Sequence, residues 1–183
     1  MGYLGGGMFS HALYRTSDGG RTWRSAHVPA PPGSQFDLPA LSGQTQVEPV
    51  TMHSGGSVSL RTYLSVDGGV TWSLRSVLAA PIASCTGPIA SDLLHGWAAA
   101  VQAHQVLVFR ASNQGRGWIT FPTHVPTPPG SCGPDQITAL SPSQGWLVVP
   151  GPVANGAGTT RIYASADAGK TWQRIDQAAL CTA

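Results

Sequence analysis

Apolar residues in this chain come in short runs divided by turn-forming residues, as at Trp97 to Val101 and Val106 to Phe109. Runs of this length, bounded by Gly, Pro, Asn and Ser, predict short strands, and nowhere does a helical recurrence of apolar positions take over. Aromatic side chains fall at Tyr14, Tyr63, Phe109 and Tyr163, each two positions before a Thr, Ser or Ala at 16, 65, 111 and 165. Alternate residues of a strand share a face, so these two columns predict one strand face that packs between sheets.

The columns belong to an internal repeat. Four segments align without gaps: Thr16-Ser17-Asp18-Gly19-Gly20-Arg21-Thr22-Trp23, Ser65-Val66-Asp67-Gly68-Gly69-Val70-Thr71-Trp72, Ala111-Ser112-Asn113-Gln114-Gly115-Arg116-Gly117-Trp118 and Ser165-Ala166-Asp167-Ala168-Gly169-Lys170-Thr171-Trp172. Their tryptophans lie 49, 46 and 54 residues apart, a period that marks a repeat architecture. Within each segment a carboxylate can accept hydrogen bonds from backbone amides, Gly can take a turn conformation costly to other residues, and hydroxyls can cap the turn. The expected structural residues are therefore Thr16, Asp18, Gly20, Thr22 and Trp23; Ser65, Asp67, Gly69, Thr71 and Trp72; Asn113, Gly115 and Trp118; and Ser165, Asp167, Gly169, Thr171 and Trp172. The third copy has lost its hydroxyls at Ala111 and Gly117, which predicts a weaker turn.

A second element recurs 20 to 26 residues before the box tryptophan: Gly2-Tyr3, Gly96-Trp97 and Gly145-Trp146, with Val47-Glu48-Pro49-Val50 standing in its place in the second repeat. Each full unit then reads as an inner strand, a Gly-Trp strand, an aromatic strand, a turn and an outer strand, which is one propeller blade. The expected fold is all-β, a β-propeller of about four four-stranded antiparallel blades belonging to a larger ring of about six to eight. Blade boundaries are expected at residues 1–30 (lacking its first strand), 31–79, 80–125 and 126–178, with 179–183 opening a further blade.

The shared pattern Ser/Thr-x-Asp-x-Gly-x-Thr-Trp resembles the Asp box (BNR repeat) of the sialidase superfamily. Asp92 to Ala100 with the following turn, and Gly145-Trp146 through Trp172, are most similar to the repeats of photosystem II stability/assembly-factor-type propellers. That resemblance covers nearly the whole chain and implies a noncatalytic protein- or glycan-binding or assembly scaffold. The sialidase resemblance implies a different function, an exo-sialidase-like glycoside hydrolase whose catalytic residues would lie outside this chain. Within the chain the sialidase set is missing: there is no Arg-Ile-Pro-like motif, Glu48 is the only Glu, and Arg15 with Arg110 and Arg61 with Arg161 occupy repeat-periodic positions rather than a converging clamp.

Composition narrows the rest. Charged residues make up 10% of the chain and the net charge is +2 with the basic residues scattered, which disfavours a nucleic-acid surface. No apolar run is long enough to span a bilayer. Cys85, Cys132 and Cys181 share one repeat column, with spacings unlike those of zinc ligands; a disulfide between neighbouring blades, Cys85 to Cys132 or Cys132 to Cys181, is compatible with an oxidising, extracytoplasmic setting, and buried free thiols are the alternative. The six His form no close pairs. No cofactor or metal site is expected, and the partner is a protein or a glycan.

Overall fold

A computed structural model describes residues 2–5, 12–54, 57–80, 90–92, 95–112, 116–129, 134–154 and 157–175. These residues form strands and turns and no helix, so none is long and apolar enough to cross a membrane as one. The strands make four antiparallel sheets, the blade construction of a β-propeller. The chain divides into two compact units, residues 1–81 with 113–117 and residues 82–112 with 118–183.

In the first unit, blade 1 is the three-stranded sheet β1 (Gly2–Gly5), β2 (Leu13–Thr16) and β3 (Arg24–Ser25). Blade 2 has five strands: β4 (Gln35–Phe36), β5 (Ala40–Ser42), β6 (Thr45–Ser54), β7 (Ser57–Ser65) and β8 (Ser73–Ala80). The extra strand arises because its inner strand is broken, β5 pairing with residues 45–47 of β6 and β4 with residues 50–51. Pro49 sits in the gap, where the Asp37 amide bonds to its carbonyl at 3.3 Å. A residue's N–H and C=O point to the same side of a strand, so the donor that Pro49 lacks would have faced this gap, and the ladder loses nothing more.

The second unit holds blade 3, β9 (Ala90–Asp92), β10 (Trp97–Gln102), β11 (Gln105–Ser112) and β12 (Gly117–Pro126), and blade 4, β13 (Gln136–Ala139), β14 (Gly145–Ala154), β15 (Ala157–Ser165) and β16 (Gln173–Arg174). Register puts Trp97, Ala99 and Val101 on one face with Val106 and Val108. That face closes on Ile137, Ala139, Leu147, Val149 and Tyr163 of blade 4 to form one buried cluster.

Each blade has an entry face, bearing the Ser/Thr column, and an exit face, bearing the Gly-Trp aromatic. Blade 2 is buried on both: Gln46, Glu48, Val50 and Tyr63 on entry, Val47, Leu60 and Thr62 on exit. Blades 1 and 4 differ. On the entry face of blade 1, Tyr14 is 42% exposed and Leu4 56%, which corrects the expectation that the whole aromatic column packs between sheets. Tyr63, Phe109 and Tyr163 are buried, and Tyr14 is the exposed member of the column. On the exit face of blade 4, Trp146 is 47% exposed, and Val148, Ile162 and Ala164 are half-buried.

Candidate functional site

Three Asp-box turns share one hydrogen-bond plan. In the first, the Thr16 hydroxyl donates to Asp18 Oδ1 at 2.7 Å and accepts the Gly20 amide at 2.9 Å. Thr22 then donates its amide to Asp18 Oδ1 at 2.9 Å and its hydroxyl to Oδ2 at 2.6 Å. Ser65, Asp67, Gly69 and Thr71 repeat these bonds, as do Ser165, Asp167, Gly169 and Thr171. Both carboxylate oxygens are thus spent on closing the turn. The Thr22 hydroxyl and then its amide hold Asp18 well below the usual carboxylate range, Thr71 does the same for Asp67, and Thr171 brings Asp167 to about 2. The chain crosses the turn with two left-handed residues, Gly-Gly in the first two boxes and Ala168-Gly169 in the last, where Ala168 has φ 64°. In the third copy Asn113 and Gly115 lie outside the described residues, and Trp118 is the second residue of the outer strand β12.

The boxes also serve as sockets. Trp97, on the exit face of blade 3, lays its six-membered ring against blade 4, where a Cβ on Gly145 would stand 3.3 Å from it and one on Gly169 only 2.9 Å. Trp172, whose indole N–H bonds to the Gly169 carbonyl at 3.0 Å, meets Trp97 edge-on at 6.0 Å between centroids. Arg110, paired across the sheet from Trp97, stacks over the ring's other side at 3.8 Å.

In the first unit Tyr3 takes the place of Trp97, and its hydroxyl donates to Gln46 Oε1. Gln46 occupies the Gly145 position, and Gly69, the counterpart of Gly169, leaves no room for a Cβ beneath the Tyr3 hydroxyl. A larger knob meets two glycines; a smaller one meets glutamine and glycine. The box and Gly-Trp patterns give Trp23 and Trp146 structural places in the repeat, yet they are 39% and 47% exposed. Trp146 pairs with Ala164, so no Arg covers it, and it lines an open groove of about 500 Å³ with Leu140, Gln144, Asp167, Thr171 and Gln173.

Glu48 is the other group that stands out. It is fully buried on the entry face of blade 2, opposite Tyr63, and neither carboxyl oxygen has a partner. Burial, then the charge of Asp37, pushes it up to about 9, so at neutral pH it is a protonated acid inside the sheet packing. Burial likewise raises Tyr3 and lowers Arg110. Sequence gave no sign of this beyond the departure of Val47-Glu48-Pro49-Val50 from the Gly-Trp pattern.

Among the described residues, no group of three or more His, Cys, Asp or Glu stands together to hold a metal ion. Cys85, Cys132 and Cys181 lie outside the described residues, and with them either disulfide pairing that the sequence allows. Arg110 is committed to Trp97 rather than to an anion clamp.

Four antiparallel sheets, three of them closed by an Asp-box turn with full hydrogen bonding, place the chain in the class of β-propeller repeat proteins. It carries the BNR/Asp-box repeat: residues 63–74, the end of β7 with its turn and the start of β8, match the family of that description. No curated protein matches the chain in sequence. Solved structures similar to it include an α-L-arabinanase of Penicillium chrysogenum complexed with arabinobiose, at 16% identity, 90% of this chain, 58% of the other and a TM-score of 0.49. A GH93 α-L-arabinofuranosidase of Fusarium graminearum with arabinobiose is similar at 14% identity, the same coverage and a TM-score of 0.42. The chain spans 58% of the length of these structures.

Proposed function

We propose that this chain is a noncatalytic Asp-box propeller module, a scaffold that holds a protein or glycan partner through its blade faces. The observation that carries this reading is the state of the Asp-box carboxylates and of Glu48. Glycoside hydrolysis in most families needs two carboxyl groups facing each other across a groove, one as acid and one as nucleophile or base. Asp18, Asp67 and Asp167 are locked in turns, and Glu48 is buried without solvent access. The groove beside Trp146 offers one carboxylate, Asp167, already bonded to Thr171. A second groove, of about 310 Å³, is lined by Leu13, His27, Pro31 and Phe36 among others and has none.

The competing reading, a glycoside hydrolase whose acids lie on blades beyond this chain, predicts no turnover by residues 1–183 but turnover by a longer protein. The test is incubation of the chain, and of any longer natural form, with arabinan and with fluorogenic sialosides. The scaffold reading expects neither to be cleaved. Turnover by the 183-residue chain that vanishes in Glu48→Gln or in Asp135→Asn, with folding intact, would end it.

A further inference from the structure

Among the described residues, the socket on blade 1 is empty and the knob on blade 4 is exposed. The filled socket of blade 4 consists of Gly145, Gly169 and Trp172, with the Trp172 indole bonded to the Gly169 carbonyl. Blade 1 has the same three residue types at the same register positions: Gly2 opposite Thr16, Gly20 in the box, and Trp23, whose indole bonds to the Gly20 carbonyl at 3.1 Å. Among the described residues, nothing occupies this socket. Among the described residues, a Cβ on Gly20 would meet only Trp23, at 3.7 Å, and one on Gly2 only the Thr16 methyl, at 3.4 Å. Gly20 is exposed where Gly69 and Gly169 are buried. Leu4, Tyr14 and Trp23 make the surrounding surface apolar.

Trp146 is the matching knob. It occupies on β14 the position of Trp97 on β10, one residue after Gly, and projects from the exit face beside exposed Leu140. Residue types select the match: the tryptophan knob sits on Gly-Gly and the tyrosine knob on Gln-Gly, so a free Trp calls for a Gly-Gly socket, and blade 1 supplies one.

We infer that the Trp146 face of blade 4 docks onto the Gly2/Gly20/Trp23 socket of a second copy of this chain, head to tail. The contact extends the blade-to-blade packing already made twice within the chain. It rests on the scaffold reading and names that scaffold's partner as another Asp-box blade. A head-to-tail contact uses two different surfaces, so it builds closed rings or open chains rather than twofold dimers. It also gives two exposed apolar faces an occupant.

Sedimentation velocity of the 183-residue chain over about 1 to 300 µM, the range in which modest interfaces assemble, reads the outcome. The inference expects the average mass to rise with concentration. Trp146→Ala removes the knob and Gly2→Leu fills the socket at a residue outside the left-handed region; each should weaken association at least about tenfold, as loss of a central aromatic anchor does. Mixed together, the two variants retain one good knob and one good socket between them and should form a single 1:1 heterodimer that grows no further. Circular dichroism shows that each variant is folded.

A wild type that stays monomeric to the highest concentration overturns the inference, as does association that survives both substitutions. So does a monomer whose Trp146 is shielded from acrylamide, since the knob is then covered by something other than a second copy. None of these results bears on the noncatalytic reading, which falls only to substrate turnover.

Discussion

The contacts between blades 1 and 2 and between blades 3 and 4 solve one packing problem in two ways. Between blades 3 and 4 the interface is apolar, with Trp97 between Arg110 and a floor of Gly145 and Gly169. Between blades 1 and 2 it is polar, Tyr3 reaching Gln46 while Glu48 is buried close by without a partner. Knob and socket change together, so the repeat conserves a volume and leaves the chemistry free. Close packing explains why: a bulkier knob over Gln46, or a smaller one over two glycines, leaves either a clash or a void.

Breaking the apolar version should cost most. Trp97→Ala removes the shared ring of the second unit, and urea unfolding should show a loss of about 3–5 kcal/mol. Tyr3→Phe, which removes the hydroxyl that donates to Gln46 Oε1 inside the polar version, should cost about 1 kcal/mol by the same measurement.

The polar version should also carry a pH dependence that the other lacks. Glu48 binds its proton more tightly when folded, at about 9 against 4.5 for the free side chain. Stability from this group is therefore complete below about pH 4.5 and is lost as pH rises toward 9, by up to about 1.4 kcal/mol per unit. The Asp-box carboxylates act in the opposite sense: their pKa values are lowered, so their contribution is present above about pH 4 and is lost as acid protonates them. Urea midpoints should thus peak near pH 4 to 5, and Glu48→Gln should flatten the alkaline limb while leaving the acid limb in place. An alkaline limb unchanged in Glu48→Gln would assign it to another group.

Smaller effects belong to the turns. Asp67→Ala should lower the thermal midpoint by a few degrees, through amides and a hydroxyl left without their acceptor. Ala168→Gly should raise stability by about 0.5 kcal/mol, because glycine avoids the left-handed penalty that alanine pays at φ 64°, less the entropy it adds to the unfolded chain.

These residues also show what the sequence could convey. The Asp boxes were legible because every partner lies within four residues: Thr16, Asp18, Gly20 and Thr22 carry their geometry in their spacing. The strands around them were legible from alternation. The sockets were not, since Trp97 and Gly169 are far apart along the chain and meet only because a whole blade intervenes. Glu48 looked like a gap in the Gly-Trp column, and its burial follows from the register of β6 against β7, which composition does not encode. The break between β4 and β5 was written in Pro49, but only the pairing shows that its missing donor faces the gap. The exposure of Tyr14 was hidden for a related reason, because periodicity reports which residues share a face and not whether that face is covered.

The most direct test of the knob-and-socket account is to convert one interface into the other. Tyr3→Trp alone should overpack against Gln46, and Gln46→Gly alone should leave a void, each costing about 1–2 kcal/mol in urea unfolding. The double variant rebuilds in the first unit the arrangement that Trp97, Gly145 and Gly169 make in the second. It should recover about 1–2 kcal/mol relative to the sum of the singles. Strict additivity of the two substitutions would contradict the account, since it would mean that the aromatic residue and the residue beneath it are not matched at all.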